Sequence, residues 1–596
     1  MQFSKFSKIL QELESTSSRN EMTEVLVQLL KAFRKSEVAE AMYLMQGRVV
    51  PRFIDLEFNV ARKLMMQAIA KAFRKEVKEI NSLFGKFGDL GIVCENLNKR
   101  KRSKHSIMDV YKKLYKIALL EGTGSQEGKV SKTAELLKSS DSQSSKYIVR
   151  MVIGNLRLGL SDKTVLDALS FILTRDKSAR EILDKAYGAR SDIGFLAEEV
   201  IGKGMKVLKK ISITPGIPIA SMNCERENTI EKILKRLDKA LIQPKYDGLR
   251  TQVHFSKTGF KTLDIVSLKQ ESMFEKEAEN IRIYSRNLED LTHMFPDAKK
   301  AMLNLGVDSI IFDSEAVGYN PKTKRYTPFQ ETIQRRRKYD VVNAAKSTPI
   351  KLFVFDILYL NGKDHTDLSL TKRLDILKRI LKKSNQNVVE FAPSSVVDDV
   401  KGFKKLSKKY IKGGLEGVIA KSQDGKYYPG KRGFEWIKFK KSAAGHLIDE
   451  IDTVVLGYYR GRGARAKFGI GAMLVGVLNT RSKKFESIAK VGTGIKDDEW
   501  EDIKSTLDKL QTKKSPRNVK VDKGLVPDVW VNPKVVIVVD ADEITLSPSH
   551  RAGFLKGKGY SLRFPRLKEF NRRDKEVDDI TTVTEIRKMY KLQYGK

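Results

Sequence analysis

Cysteine is nearly missing from the chain: Cys94 and Cys224 are the only two in 596 residues. A disulfide framework and a cysteine-ligated zinc module are therefore excluded as organising principles. The six histidines, His105, His254, His293, His365, His446 and His550, stand too far apart in sequence to form a ligand pair. Long apolar runs are missing as well. No stretch approaches the ~20 residues a membrane-spanning helix needs, and the N-terminal MQFSKFSKILQELES lacks the apolar core of a signal peptide. These absences predict an intracellular, cytoplasmic protein in a reducing compartment, with no membrane partner. Positive charge is what the chain has in excess: 113 Lys and Arg against 74 Asp and Glu give a formal net charge of +39 and a pI near 9.8. Polyanions, nucleic acid above all, are the natural partners of such a surface.

The length exceeds what one hydrophobic core serves, so several domains are expected. Residues 1–212 read as all-helical. Met22, Val25, Leu26, Leu29, Leu30 and Phe33 recur at helical spacing behind Ser17 and Ser18 as caps, and similar patterns run through 58–83 and 163–173. Pro215, Gly216 and Pro218 then punctuate the chain, and 213–444 mixes helices with strands. There an amphipathic helix carrying Ile230, Ile233, Leu234, Leu237 and Leu241 is predicted to run into KYDGLR and an alternating strand over 249–255, which places that motif at a strand edge. In 445–596, short strands at 453–458, 472–478, 485–491 and 535–539, separated by glycine-containing turns, predict a small β-barrel. The run KRKRSK at 99–104 reads equally as a localisation signal or a solvated basic loop.

GTGSQEGKV at 122–130 comes close to a phosphate-binding P-loop and fails in detail. Thr123 stands where the first glycine belongs, and Val130 replaces the hydroxyl residue that would hold magnesium. Its glycines and amides remain suited to a DNA phosphate. LIQPKYDGLR at 241–250 sets Lys245 beside Asp247, with Gly248 and Arg250 following; alone, such a K-x-D-G reads as a surface turn. It is followed in order by SRN (285–287), FDSEAVGYN (312–320), FVFDILYLNG (353–362), GLEGVIAK (414–421), WIKFKK (436–441) and RRDK (572–575).

In these residues the chain resembles the ATP-dependent DNA ligases of the archaeal and eukaryotic replicative type, within the covalent nucleotidyltransferase superfamily. EGTGSQEGK (121–129) and LRLGLSDKTVLDAL (156–169) are similar to that family's N-terminal DNA-binding domain, while LGYYRGRGARAKFG (456–469), KVGTGIKDDEW (490–500) and ADEITLSP (541–548) are similar to its C-terminal OB-fold. The resemblance covers essentially the whole chain. It implies an all-α DNA-binding domain over 1–212, an α+β nucleotidyltransferase domain (ATP-grasp-like adenylation fold) over 213–444 and an OB-fold over 445–596. The long helical N-terminal segment sets the chain apart from RNA ligases and mRNA-capping guanylyltransferases. The NAD-dependent DNA ligases carry a cysteine-ligated zinc that two cysteines cannot supply. A noncatalytic scaffold derived from a ligase would be expected to lack Lys245, Glu416 or Lys440, and all three are present.

The family chemistry implies that a lysine takes AMP from ATP with release of diphosphate, passes it to a DNA 5′-phosphate, and a 3′-hydroxyl then displaces AMP, in replication, repair and recombination. By match to the motifs, Lys245 is the nucleophile, and neighbouring Lys438, Lys440 and bound Mg2+ (with Mn2+ as a substitute) favour its neutral form. Glu315 and Glu416 match acids that contact ribose or coordinate the metal; a plain salt-bridge role is the alternative for each. Asp247 orients Lys245 or a metal-bound water. Arg250, Arg286, Arg432, Lys421, Lys438 and Lys440 match cationic positions around the nucleotide phosphates and the DNA end. Phe355 matches the aromatic that stacks on the purine, and Arg572 a C-terminal motif that closes over the ATP phosphates, with Arg573 its rival because one residue more than expected precedes RRDK. Gly122, Gly124, Ser125, Lys129, Arg157 and Lys163 match DNA-contacting positions. The implied partner is nicked double-stranded DNA, bound by a monomer. Whether a sliding clamp is a further partner stays open: residues 99–110, where related archaeal enzymes carry that contact, contain no aromatic pair. Gln243 departs from the glutamate usual two residues before the nucleophile. An amide both accepts and donates, so the choice among ATP, ADP and GTP stays open.

Overall fold

The computed structural model describes every residue except 17, 228, 261–279, 321–322, 324, 328, 336–340, 385–387, 441–449, 462–464, 466–467, 573 and 594–596. The chain forms two compact units, Met1–Phe439 and Lys440–Lys596. The first unit holds both the expected helical region and the mixed region, which share packing: the Ala220 amide donates to the Gly188 carbonyl at 2.9 Å. The expected boundary at 444/445 lies outside the described residues.

Twelve described α-helices run between Phe3 and Lys203. The stripe predicted from residue 21 onward folds as Arg19–Ala32, burying Met22, Val25, Leu26, Leu29 and Leu30, with Ser18 capping the Glu21 amide at 3.4 Å. The other cap expected, Ser17, lies outside the described residues. The pattern over 58–83 becomes two helices, Arg62–Phe73 and Val77–Phe87, because Arg74 takes a left-handed conformation (φ 54°) that closes the first. Another expectation fails in the same way. The helix predicted to reach Leu241 is Ile230–Leu237; Asp238 (φ 53°) ends it, and Leu241 belongs to the next strand.

Two sheets carry the rest of this unit. One is built from β1 (Asn223–Arg226), β2 (Ala240–Lys245), β10 (Ser395–Val397), β11 (Gly417–Ser422) and β12 (Arg432–Lys440), in the order β1-β12-β11-β2-β10. The other runs β4-β3-β5-β7-β8, from β3 (Leu249–Ser256), β4 (Ile281–Ser285), β5 (Ser309–Asn320), β7 (Ile350–Leu360) and β8 (Lys363–Asp364), with β6 (Arg325–Tyr326) on β5 and β9 (Val389–Phe391) on β7. The turn of the KYDG motif joins the two sheets, since β2 ends at Lys245 and β3 begins at Leu249. Apolar side chains such as Val253, Ile283, Phe312, Leu352 and Leu377 form the core against the second sheet.

In the second unit Ile451–Tyr459, Ala472–Asn479 and Lys484–Val491 form an antiparallel meander, and Val536–Asp540 pairs with the first of these. Register shifts at Val455/Gly457 and Val475/Gly476 bend the strands, as closure of a small barrel requires. Trp500, on the helix Glu499–Asp508, is buried in its core with Val475, Ile488 and Ile537.

Candidate active site

Lys245 is the last residue of β2, and its cross-strand partner on β11 is Gly417. The residue before that partner is Glu416, whose amide donates to the Lys245 carbonyl at 3.1 Å and whose carboxylate forms an ion pair with the Lys245 ammonium. Backbone pairing therefore sets the side-chain pair. The tight turn that follows needs a glycine: a Cβ on Gly248 would lie 2.4 Å from the Ala316 carbonyl oxygen.

Beyond the turn, Arg250 on β3 lies opposite Glu315 on β5, and Glu315 lies opposite Phe353 on β7. Burial pushes the Glu315 carboxyl up to about 7, against the opposing pull of Lys245, Arg250 and the Gly248 N–H. Arg250 is held rather than loose. It donates to the Met222 carbonyl at 2.6 Å, to Asp313 at 2.7 Å and to the Tyr427 hydroxyl at 3.3 Å, and the buried Asp313 carboxylate raises its affinity for the proton. Phe355, two residues along β7 from Phe353, meets Trp436 edge-on at 6.0 Å, with the Arg250 guanidinium 5.5 Å from its ring centre. Just after β2, Tyr246 stacks on Phe353 at 4.2 Å and 10°. That stack fixes the strand end that carries the amine.

Lys245, Gln243, Arg250, Glu315, Phe355 and Glu416 are thus positioned by five strands, β2, β3, β5, β7 and β11. Asp247 is half-buried in the turn itself. Lys438 shares the Trp436 face of β12 by strand alternation, and Arg432 begins that strand, exposed. Arg286 donates to Asn223 at 2.6 Å from an exposed position. Lys421 does not line a phosphate path as expected: it is fully buried beneath Trp436 and Phe355. Lys440 is the first residue of the second unit, where it pairs with Asp542 at 3.0 Å. In that unit Arg572 donates to Asp574 at 2.9 Å and Asp452 at 2.9 Å; its rival Arg573 lies outside the described residues. Asp313, Tyr427 and Trp436 are the residues that sequence reasoning missed. Trp436 stood in a recognised motif, whereas nothing near Tyr427 signalled a role.

The helical region divides the expected DNA contacts. Gly122 and Gly124 are exposed in left-handed conformations (φ 81° and 78°) ahead of the helix Ser125–Ser139, and Lys163 is exposed in the first turn of Asp162–Thr174. A helix follows a helix here, so the P-loop context of strand, loop and helix is absent from this segment. Lys129 is a correction: it is buried and donates to the Phe58 carbonyl at 2.8 Å. Arg157 is half-buried and braced by Asp89 at 3.0 Å and the Gly88 carbonyl at 3.2 Å.

Three family models match the chain: DNA ligase N terminus over 2–170, ATP dependent DNA ligase domain over 271–440, and ATP dependent DNA ligase C terminal region over 466–575. The chain belongs to the ATP-dependent DNA ligases. Lys245 lies between the matched stretches and inside the full-length likeness. A "Probable DNA ligase" of Dictyoglomus turgidum is 40% identical to this ligase over 100% of its chain and 98% of the relative. "DNA ligase" of Staphylothermus marinus is 35% identical, covering 100% of both. The solved structure named Pmar-Lig_PreS3, 18% identical, covers 95% of this chain and 98% of its own at a TM-score of 0.56, a likeness of fold.

Gln243, on the strand that ends at Lys245, presents a buried amide with neither atom hydrogen-bonded. No described helix is long and apolar enough to cross a membrane.

Proposed function

We propose that this ligase seals nicks in duplex DNA through AMP carried on Lys245, and the observation that carries the reading is the Lys245–Glu416 ion pair at the end of a strand whose same face carries the buried Gln243. In the first step the Lys245 amine attacks the α-phosphorus of ATP, a P–N bond forms, and the bond to diphosphate breaks. Attack needs the neutral amine, and Glu416 is placed to accept its proton. A DNA 5′-phosphate oxygen then displaces Lys245 from that phosphorus, and the DNA 3′-hydroxyl displaces AMP. Arg250, fixed by Asp313 and Tyr427, offers a preorganised cation toward the charge that develops in these steps.

Magnesium, or manganese in its place, supplies positive charge to the phosphates when bound. The oxygen donors of Glu315 and Glu416 fit such an ion, with Asp247 within the same turn. Among the described residues no cluster of three or more metal-ligating side chains occurs. Magnesium keeps waters and takes substrate phosphates as ligands beside one or two carboxylates.

A pH effect follows from Glu315. A carboxyl pushed up to about 7 is largely protonated below that value, and a proton there competes with a metal ion. The magnesium concentration giving half-maximal adduct formation is expected to be about tenfold higher near pH ~6 than near pH ~8. A requirement that does not move with pH removes Glu315 from the metal site.

Partners follow from charge and exposure. The exposed Gly122 and Gly124 ahead of the helix Ser125–Ser139, together with the exposed Lys163, support phosphate contacts to nicked duplex by a monomer. With about four phosphates contacted, a fourfold rise in salt weakens binding roughly a hundredfold, measured by fluorescence anisotropy of a labelled nicked duplex. Salt-insensitive binding contradicts this mode. Joining of a labelled nicked duplex, with release of AMP, tests the reading as a whole; a chain that binds the nick and never joins it is a scaffold instead.

A further inference from the structure

The helix Val400–Lys412 has a face that the reaction steps do not use. Its sequence, VKGFKKLSKKYIK, holds six lysines and no acid. Lys401, Lys404, Lys405, Lys408, Lys409 and Lys412 are all exposed. At about 100° per residue they fall within an arc of about 140°. The opposite side is the one that packs: Phe403 and Ser407 are buried there, and Phe403 meets Phe439 of β12 edge-on at 5.5 Å. Asp399, the nearest acid before the helix, is spent as its N-cap, where it accepts from the Gly402 amide.

Lys401 and Lys405, Lys404 and Lys408, Lys405 and Lys409, and Lys408 and Lys412 each stand four residues apart, a spacing at which like charges on a helix repel. Among the described residues no carboxylate pairs with any of the six. The face is therefore self-repelling and unmatched within the chain, and a polyanion is the partner that relieves it. Its position selects which polyanion. The helix ends at Lys412, and Glu416, which pairs with Lys245, follows after Gly413, Gly414 and Leu415. Four residues of chain span at most about 14 Å, so the lysine face begins within that reach of the Lys245–Glu416 pair. From there the helix runs for about 20 Å, the length of roughly six base pairs of duplex.

We propose that the lysine face of Val400–Lys412 is a track for the backbone phosphates of the duplex that flanks the nick, separate from the nucleotide site. The proposal rests on nicked duplex being the substrate. Duplex DNA presents one phosphate charge per about 1.7 Å of its axis, so a stripe of lysines along a helix always finds phosphates within reach. Such contacts position the duplex and read no bases, as a nick sealer that acts on any sequence requires. Lysine suits the task, being a compact charge on a flexible stem that follows a phosphate rather than fixing its orientation.

The test uses the full chain with Lys401→Gln, Lys405→Gln, Lys408→Gln and Lys412→Gln combined, one stripe of the helix. Glutamine matches lysine in helix propensity, and the change removes repulsion, so the fold is expected to hold. Binding to a labelled nicked duplex is followed by fluorescence anisotropy across a salt series. The variant is expected to bind at least about tenfold more weakly at low salt, with a slope of log affinity against log salt shallower by about two. Arginine at the same four positions is expected to keep the wild-type slope. Labelling by α-labelled ATP and magnesium, which involves no DNA, is expected to match wild type throughout. A control of equal charge combines Lys372→Gln, Lys378→Gln, Arg379→Gln and Lys382→Gln, all exposed on the helix Leu370–Ser384, and is expected to bind as wild type does. An unchanged slope in the stripe variant, or an equal fall in the control, overturns the track and leaves the nick-sealing reading standing. A wild type that binds no nicked duplex overturns that reading, and the track with it. Where lost labelling shows that the fourfold change has cost the fold, Lys405→Gln with Lys408→Gln puts the same question at half the charge.

Discussion

Replacing Lys245 with alanine abolishes covalent nucleotide labelling and nick joining, by at least about 10⁴-fold, the order of loss seen when a covalent nucleophile is removed. Three features of the site make the effect that large. The amine sits where β2 ends and the tight turn at Gly248 begins, so no neighbouring side chain on the strand reaches its place. Glu416, paired to it through both backbone and side chain, is left facing a cavity. The adduct is a P–N bond, labile to acid and stable to base, and no hydroxyl residue at this point would give the same lability. The measurement is a denaturing gel of wild type and variant after incubation with α-labelled ATP and magnesium, with and without an acid wash. Undiminished label on the variant assigns the adduct to another residue. A variant that joins a pre-adenylated nick while failing with ATP supports the assignment, because only the first two steps pass through Lys245.

The legible part of this site follows backbone pairing. KYDG, FDSEAVG and GLEGVIAK are each short enough to form one strand or strand end, so sequence order carried Lys245, Glu315 and Glu416 into one place once the strands paired. The helical stripe beginning at Met22 was legible for a similar reason: local periodicity and a capping serine suffice. What escaped was set by single backbone angles and by long-range contacts. Asp238 and Arg74 take left-handed conformations that no apolar pattern announces, and each ended a helix early. Lys129 matched a DNA-contacting position by motif, yet the Phe58 carbonyl, 71 residues away, holds it inside. Tyr427 bridges Asp313 and Arg250 across 114 and 177 residues, and a tyrosine in a loop carries no mark of such a role. Lys421 shows the same limit in reverse, since a lysine in a motif reads as a phosphate ligand until the rings that cover it are seen.

Asp356→Asn is expected to destabilise the first unit by about 3–5 kcal/mol, because it strands a buried cation. Arg373 donates Nε to one Asp356 oxygen at 2.7 Å and Nη2 to the other at 3.0 Å, and both side chains are wholly buried. Asparagine leaves one acceptor and no charge, so the guanidinium stays buried with its counter-ion gone. Replacing both partners, as Asp356→Leu with Arg373→Met, removes the charge together with its partner and is expected to cost less than the asparagine change alone, despite the Gly425 carbonyl losing its donor. Trp436 is the only tryptophan in residues 1–439, so its fluorescence follows this unit during urea unfolding once Trp500 and Trp530 are replaced by phenylalanine. A double variant less stable than the single one would contradict the buried-charge argument. The consequence reaches the nucleotide site, because Asp356 directly follows Phe355 on β7 and its carboxylate, against the effect of burial, favours the protonated form of the buried Lys421. Asp356→Asn should therefore raise the ATP concentration needed for half-maximal labelling, while the acid lability of whatever adduct forms stays as in wild type.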